Sequence, residues 1–313
     1  MPFFSVIIPL FNKEEYIEET LLSVLNQTFT DFEIIVVNDA STDKSLNKAK
    51  TVQEKRIKYF ENEKNLGLSA TRNRGISLAK GEIIALLDAD DIWLPDFLEN
   101  IKLLHKKFPE ASIYGTDYLE KYDNKTVLEP QKNIPKNLKN KYFLIDDFFN
   151  ANMYQCIFCP SSLAFKKNIS KNQDVFNPNI TYAEDIDFYI RFGFKFKTAY
   201  CYKASLEKNF NVPSQMTRKG ISEETIPDLD YFENWTKDNN SLKKYLDLYR
   251  YIFAYQYKME KSIKKKRTIL KNINYNNLSL KQRFLLKSPR IIVLVFNKIK
   301  LLLLKYNIRV SSF

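Results

Sequence analysis

The stretch EIIALLDADDIW, residues 82–93, is the one whose reading decides the fold. Six strand-forming residues, Glu82 to Leu87, run directly into Asp88, Asp90 and Asp91 with no basic residue beside them. A near-continuous apolar run of this length fits a strand buried on both faces, as in a parallel sheet covered by helices. Three carboxylates at its end repel one another unless something positive sits among them.

The sequence on the amino-terminal side alternates in the same way. FFSVIIPL (3–10) is a β-branched apolar run, and KEEYIEETLLSVLNQ (13–27) places Ile17, Leu21, Val24 and Leu25 at helical spacing behind an acidic first turn. FEIIVVND (32–39) is a second buried strand ending at Asp39, after which Ser41 or Thr42 is expected to cap a helix. RIKYFEN (56–62) is a shorter strand, and LSATRNRGISLAK (68–80) a helix with Gly81 in the C-cap position. Pro95 is expected to open the helix LPDFLENIKLLHKKF (94–108). Strands alternating with helices predict an α/β fold with a doubly wound, mostly parallel sheet flanked by helices. Ligands of such sheets bind outside the carboxyl ends of the strands, so Pro9, Asp39 and Asp88 should share one rim.

Residues 111–220 are less regular. ASIYGTDYLEKY (111–122) and FCPSSLAFKK (158–167) read as strands and TYAEDIDFYIRFGFKF (181–196) as the start of a helix, giving a mixed half expected to cover the far side of the sheet. From 221 onward the pattern is helical and rich in lysine. The expected divisions are therefore 1–110, 111–220 and 221–313.

Composition excludes several chemistries. With 44% hydrophobic and 14% aromatic residues, 313 positions suffice for one large domain or two modest ones. The only histidine, His105, lies in the lysine-flanked helical stretch KLLHKKF and is expected on a solvated face, which leaves a serine triad without its base. Cys156 and Cys159 form a C-x-x-C whose zinc-site counterpart is missing, so both are expected to be buried thiols. The amino terminus lacks a basic leader and turns acidic early, which reads as cytoplasmic.

Asp88-x-Asp90 can approach one hard cation, Mg²⁺ or Mn²⁺, whose remaining ligands are waters and substrate phosphates. The same acids could instead cap the helix near Pro95. Asp39 ends a strand where a carboxylate can accept from a base N–H or a ribose hydroxyl. A dinucleotide-binding unit also places an acid there, but it needs G-x-G-x-x-G after the first strand, and this chain has the glycine-free PLFNKEE (9–15). Glu184 and Asp185 in AEDID are either a catalytic carboxylate pair or first-turn helix acids.

Taken in order, SVIIPLFNKEEYI, FEIIVVNDASTD, NLGLSATRNRGISLAKGEIIALLDADD and YAEDIDFYIRFGF resemble the family-two glycosyltransferases, inverting enzymes with the GT-A nucleotide-sugar fold. The resemblance covers roughly the first 200 residues. It implies that Pro9 and Phe11 contact the nucleoside, that Lys13 reaches the phosphates, and that Asp39 reads the base, usually uracil. Asn65 and Arg72 stand where the family contacts the nucleotide sugar. Asp88 resembles the residue touching the ribose or the metal's water shell, and Asp90 the direct ligand of Mn²⁺ or Mg²⁺. Asp185 resembles the general base, with Glu184 supporting the acceptor; Asp91 has no firm counterpart. An ordinary Asp, with a pKa near 3.9, is a weak base at neutral pH unless burial raises it. The Q-x-x-R-W motif of processive synthases is absent, as Arg191 in YIRFGF lacks its Gln and Trp, which favours transfer of one sugar per encounter. The implied partners are a nucleotide-sugar donor, a UDP-sugar first, and a glycan or lipid-linked acceptor of a bacterial-type surface polysaccharide. A nucleotidyltransferase and a catalytically silent sugar-nucleotide scaffold are the competing readings.

The net charge of +12 resides in the tail: 14 of the 49 Lys and Arg and none of the 37 acids lie between Lys261 and Phe313. Residues 261–313 are therefore expected to lie against an anionic inner membrane surface. Nucleic acid, the other polyanion, finds no recognition motif here.

Overall fold

The computed structural model describes residues 1–304, excepting 124, 172 and 213–219. Ten strands form one sheet whose main path runs β3-β2-β1-β4-β9-β6-β10-β5. The first half supplies β1 (Phe4–Leu10), β2 (Phe32–Asn38), β3 (Ile57–Glu61) and β4 (Ile83–Leu86), all parallel neighbours. Helices α1 (Ile17–Leu25), α2 (Ser45–Thr51), α3 (Leu68–Leu78) and α4 (Phe97–Lys107) connect them or follow them. β1, β2 and β4 are buried along their whole length, and their runs are apolar apart from Ser5, Glu33 and Asn38. Pro9 pairs with Val37 of β2 at a level where β4 has stopped pairing, so its missing N–H interrupts no ladder on that side.

The second half extends this sheet instead of covering its far side. Strand β9 (Leu163–Lys166) inserts antiparallel between β4 and β6 (Ile113–Lys121), and β10 (Thr198–Asn209) continues parallel to β6. The short strands β5 (Ile92–Trp93), β7 (Val127–Leu128) and β8 (Tyr142–Leu144) add to its edge. Each face of the sheet then carries a core drawn from both halves of the chain. Helix α6 (Glu184–Lys195) lies on the face of Ile7, Val37 and Leu86, together with the four-residue α5 (Phe148–Ala151) and the long α7 (Asn240–Met259).

Three local expectations need correction. Gly81 is not a C-cap: α3 ends on Ala79 in extended conformation, and a Cβ on Gly81 would come within 2.5 Å of the Ser5 nitrogen. That glycine exists because β1 passes against it. Ser41 and Thr42 do not cap α2; Asp43 accepts from the Ser45 N–H at 2.9 Å, while the Ser41 hydroxyl accepts from the Asn12 N–H. His105 is half-buried and not fully solvated, since its Nδ1 lies 3.0 Å from the Tyr114 hydroxyl and its ring packs edge-on to Phe3 and Tyr114, while Nε2 faces the exposed Glu82. Burial lowers its pKa, with the Glu82 charge opposing the shift. Cys156 and Cys159 are unpaired, and burial pushes their thiols up to about 12 and about 11.

Beyond α7 follow α8 (Ile263–Ile269), α9 (Leu280–Lys287) and α10 (Arg290–Leu304). They share a small core of Leu248, Tyr251, Leu278, Leu285, Leu286 and Val293 against one face of α7. No helix among the described residues is long and apolar enough to cross a membrane. The end of the tail reading, 305–313, lies outside the described residues.

Candidate active site

The rim is built from two interlaced loops and one strand end. After β1 the chain turns through Asn12 (φ 51°), and after β2 through Ala40 (φ 54°). The loops hold each other. Asn12 N–H donates to Ser41 Oγ, Thr42 N–H to Asn12 Oδ1, Lys13 N–H to Ser45 Oγ, and Lys44 N–H to Glu14 Oε2. This lacing fixes Phe11, Asn12 and Lys13 beside Asp39 without a glycine-rich turn. Phe11 stands 42% exposed at the opening, while Pro9 lies buried beneath it.

Asp39 is 3% exposed and already well supplied with donors. Its Oδ1 accepts from Asn62 Nδ2 at 2.6 Å and Leu66 N at 2.8 Å, and its Oδ2 from Gly67 N at 3.0 Å. Asn65 is exposed and reaches the Asp39 carbonyl at 3.3 Å. In this arrangement Asp39 shapes the 62–67 loop and keeps at most one lone pair of Oδ2 for a ligand.

Arg72 projects from α3 and is 1% exposed. Its Nη2 donates to Asp88 Oδ1 at 2.6 Å and its Nη1 to Glu184 Oε1 at 2.7 Å, with the guanidinium 5.1 Å from the centre of the Phe176 ring. Burial alone would lower the Arg72 pKa, but the Asp88 and Glu184 charges outweigh it and raise it. Asp88 is held low in turn, burial notwithstanding, by Arg72. One side chain thus joins the strand-end carboxylates to the Glu-Asp pair 96 positions later in the chain. Such a planar fork between two carboxylates is a task for arginine and not for lysine.

Asp90 pairs with Lys13 at 2.7 Å and keeps 11% of its side chain exposed. Asp91, whose role the sequence leaves open, is a strut: its Oδ2 accepts from Ser161 Oγ at 2.6 Å and its Oδ1 from Asn209 N at 2.9 Å. Ser161 Oγ also accepts from the Asp88 N–H. Burial, followed by the neighbouring carboxylates, pushes Asp91 up to about 7.

Lys208 on β10 completes the cluster, and nothing in the sequence reading singled it out. Burial would lower its ammonium pKa, but neighbouring Cys159, Asp91, Asp88 and Asp90 hold it above its ordinary value. The available signal was parity: Lys208 stands two residues after the fully buried Leu206 and so on the same side of its strand. The cation required by the opening stretch is therefore supplied three times, by Lys13, Arg72 and Lys208.

At the start of α6, Ala183 adopts φ 62°, a left-handed conformation that costs a non-glycine residue about 1 kcal/mol. It turns Glu184 and Asp185 toward the rim. Glu184, 7% exposed, is occupied by Arg72. Asp185 has no cationic partner within salt-bridge distance among the described residues, and burial, then the Glu184 charge, pushes it up to about 7. The weak base of the sequence reading has become one whose proton affinity is near neutral.

The donor set suits a hard cation that shares its shell with phosphates. Asp88 and Asp90 offer only oxygen, and among the described residues no group of three or more His, Cys, Asp or Glu could hold an ion unaided. Asp88 keeps one oxygen on the buried Arg72 fork, whereas the ion pair of Asp90 among the described residues is to the single ammonium of Lys13, so Asp90 is the more available oxygen donor.

Residues 5–170 match the family described as Glycosyl transferase family 2. An uncharacterized glycosyltransferase of Haemophilus influenzae is 33% identical over 193 residues, 60% of this chain and 59% of that protein. The uncharacterized glycosyltransferase MJ1057 of Methanocaldococcus jannaschii is 32% identical over 195 residues, 61% of this chain and 64% of that protein. These matches thus span less than two thirds of either relative. Among solved structures, S. aureus TarS 1-349 superposes with a TM-score of 0.58 at 18% identity, covering 90% of this chain and 78% of that one. The same TarS fragment in complex with UDP-GlcNAc gives 0.58. This likeness is one of fold, and it agrees with the GT-A architecture expected from the sequence.

Proposed function

Because the chain belongs to glycosyl transferase family 2, we propose that it is an inverting transferase moving one sugar from a nucleotide-diphosphate donor, a UDP-sugar, to a hydroxyl of a glycan or lipid-linked acceptor. The observation that carries this reading is the Asp88–Arg72–Glu184 bridge, which locks the donor rim to the pair that includes the candidate base. Support for uridine comes from TarS, which has been solved with UDP and with UDP-GlcNAc. Residues 1–110 hold the donor, 111–220 the acceptor, and 221–313 form an extension that is helical in its described part, which ends at 304.

In this scheme Phe11 and Pro9 bracket the nucleoside, and Asp39 reads the base with its remaining lone pair. Asn65 borders the donor, and Lys13 turns from Asp90 toward the phosphates. Arg72 acts from behind, holding Asp88 and Glu184 in place. Asp185 takes the proton of the acceptor hydroxyl. That oxygen attacks the anomeric carbon from the side opposite the diphosphate, and the anomeric C–O bond breaks with its electrons leaving on the nucleoside diphosphate. A base poised near neutral pH is both ionised and strong enough for this transfer. Asp90 and Asp88 would hold Mn²⁺ or Mg²⁺, which would supply Lewis-acid stabilisation of the departing diphosphate. The reaction belongs to bacterial surface polysaccharide synthesis at the inner face of the plasma membrane.

Thermal-shift measurements with UDP-, GDP- and dTDP-sugars, each with and without Mn²⁺, test the donor assignment. A UDP-sugar should raise Tm only with metal present, and Asp90→Asn should abolish the rise. A shift indifferent to both metal and Asp90 would remove Asp90 from the metal site.

A further inference from the structure

Nine of the seventeen exposed large apolar side chains among the described residues fall between Ile263 and Leu302. They are not scattered. On α10, Ile291, Val295, Ile299 and Leu302 are 65%, 52%, 49% and 58% exposed and recur at the 4-4-3 spacing of a single helix face. On α9, Leu280 and Phe284 are 81% and 60% exposed, one turn apart. The opposite side of α10 is already satisfied. Val293 is fully buried against the core beneath α7, Asn297 accepts from the Tyr255 hydroxyl at 2.6 Å, and Arg290 Nε donates to the Met259 carbonyl. Packing on the domain therefore explains one face of α10 and leaves the other apolar face uncovered. A helix apolar on both faces has two partners.

The charge around the uncovered face selects the second partner. Exposed Lys281, Lys287 and Lys298 stand beside it, and no acid occurs anywhere from Lys261 to Phe313. A second copy of this surface would oppose like charge to like charge. A nucleic acid would satisfy the lysines but has no use for a row of isoleucine, valine and leucine. A bilayer with anionic headgroups accepts both, with apolar side chains entering the acyl boundary and lysine stems reaching up to the phosphates.

We propose that the outer face of α10, with Leu280 and Phe284 of α9, docks flat on an anionic phospholipid membrane. The inference rests on the reading of a membrane-presented acceptor but not on the donor chemistry, and it assigns to one helix face what the sequence could place only within a 53-residue tail. The surface lies on helices tied to α7, whose other side helps form the core around α6, so docking would fix the orientation of the active site over the membrane.

The test uses the full chain, co-sedimented with vesicles of pure phosphatidylcholine or of phosphatidylcholine with phosphatidylglycerol. Partition into the anionic vesicles, weakened by salt and at least tenfold lower for pure phosphatidylcholine, is expected. The pair Val295→Asp and Ile299→Asp should reduce it at least tenfold, and the triple Lys281→Ser, Lys287→Ser and Lys298→Ser should do the same. Both variants should keep the wild-type Tm and UDP-dependent shift, so a failed donor reading and a failed membrane reading give different results. Equal partition of the wild type and the aspartate variant overturns the proposal, as does equal binding to both vesicle types. So does a dimer in solution that the aspartate pair dissolves, because a second copy would then be the occupant.

Discussion

Asp88, Asp90 and Glu184 each have a cationic nitrogen within 2.7 Å, on side chains that are mostly enclosed. On α9 and α10, Lys281, Lys287 and Lys298 stand exposed in a stretch without a single acid. Both regions concentrate charge, yet burial makes the two behave differently. At the rim the low local dielectric makes every pair specific in geometry, and an unmatched charge there is costly. At the tail the exposed lysines lie in water and are screened by salt, so the contribution of each is small and roughly interchangeable with that of its neighbours. Substitutions should therefore act singly and strongly at the rim, and only collectively at the tail.

The sharpest break is expected at Asp185→Asn. Under the proposed function, turnover should fall by at least about 10³-fold while UDP-sugar binding persists, since only the proposed proton acceptor is lost. In the wild type, activity should rise with pH through about 7 as Asp185 ionises. The same shift predicts a stability slope of defined sign. Between the ordinary carboxylate range and about 7 the folded protein holds a proton that the unfolded chain has released, so stability declines as pH rises through about 7. Asp185→Asn should flatten that decline and stabilise the protein at pH 8 on the order of 1–3 kcal/mol. Denaturant melts at pH 5 and 8 measure it, and an unchanged slope would mean that Asp185 titrates at its ordinary pKa.

Arg72→Lys comes next. A lysine cannot bridge Asp88 and Glu184 at once, so one enclosed carboxylate loses its partner at a cost of about 3 kcal/mol. Urea unfolding should show that loss, together with turnover reduced more than UDP binding. Full stability in the lysine variant would mean that the bridge is not formed in solution. The smallest effect is expected at Lys298→Ser, which should move stability by less than about 0.5 kcal/mol and leave the UDP response intact. A large loss there would erase the contrast between the two regions.

Much of the first half was legible. β1, β2 and β4 announce themselves because a strand buried on both faces has to be mostly apolar, and Asp39, Asp88 and Asp90 stand out as carboxylates at the ends of such runs. The second half was legible in type but not in place. Nothing local in LAFK indicates that β9 inserts antiparallel between β4 and β6, since that pairing depends on residues up to 83 positions away, as in Ile83 with Lys166. Gly81 was misread for a related reason: a glycine after a helix looks like a cap, and only the passage of β1 shows that it makes room for another backbone.

The sequence by itself determined which residue types end the strands, the acidic pair at the head of α6, and the segregation of positive charge into the last 53 residues, because these are properties of neighbours along the chain. Tertiary structure alone decided that Arg72 serves two carboxylates, that Lys208 lies among the aspartates, that Asp185 holds its proton to near neutral pH, and that α10 turns one apolar face inward and another to solvent. Each of these depends on which groups are enclosed together, and both charge interactions and proton affinity change with enclosure far more than with sequence position.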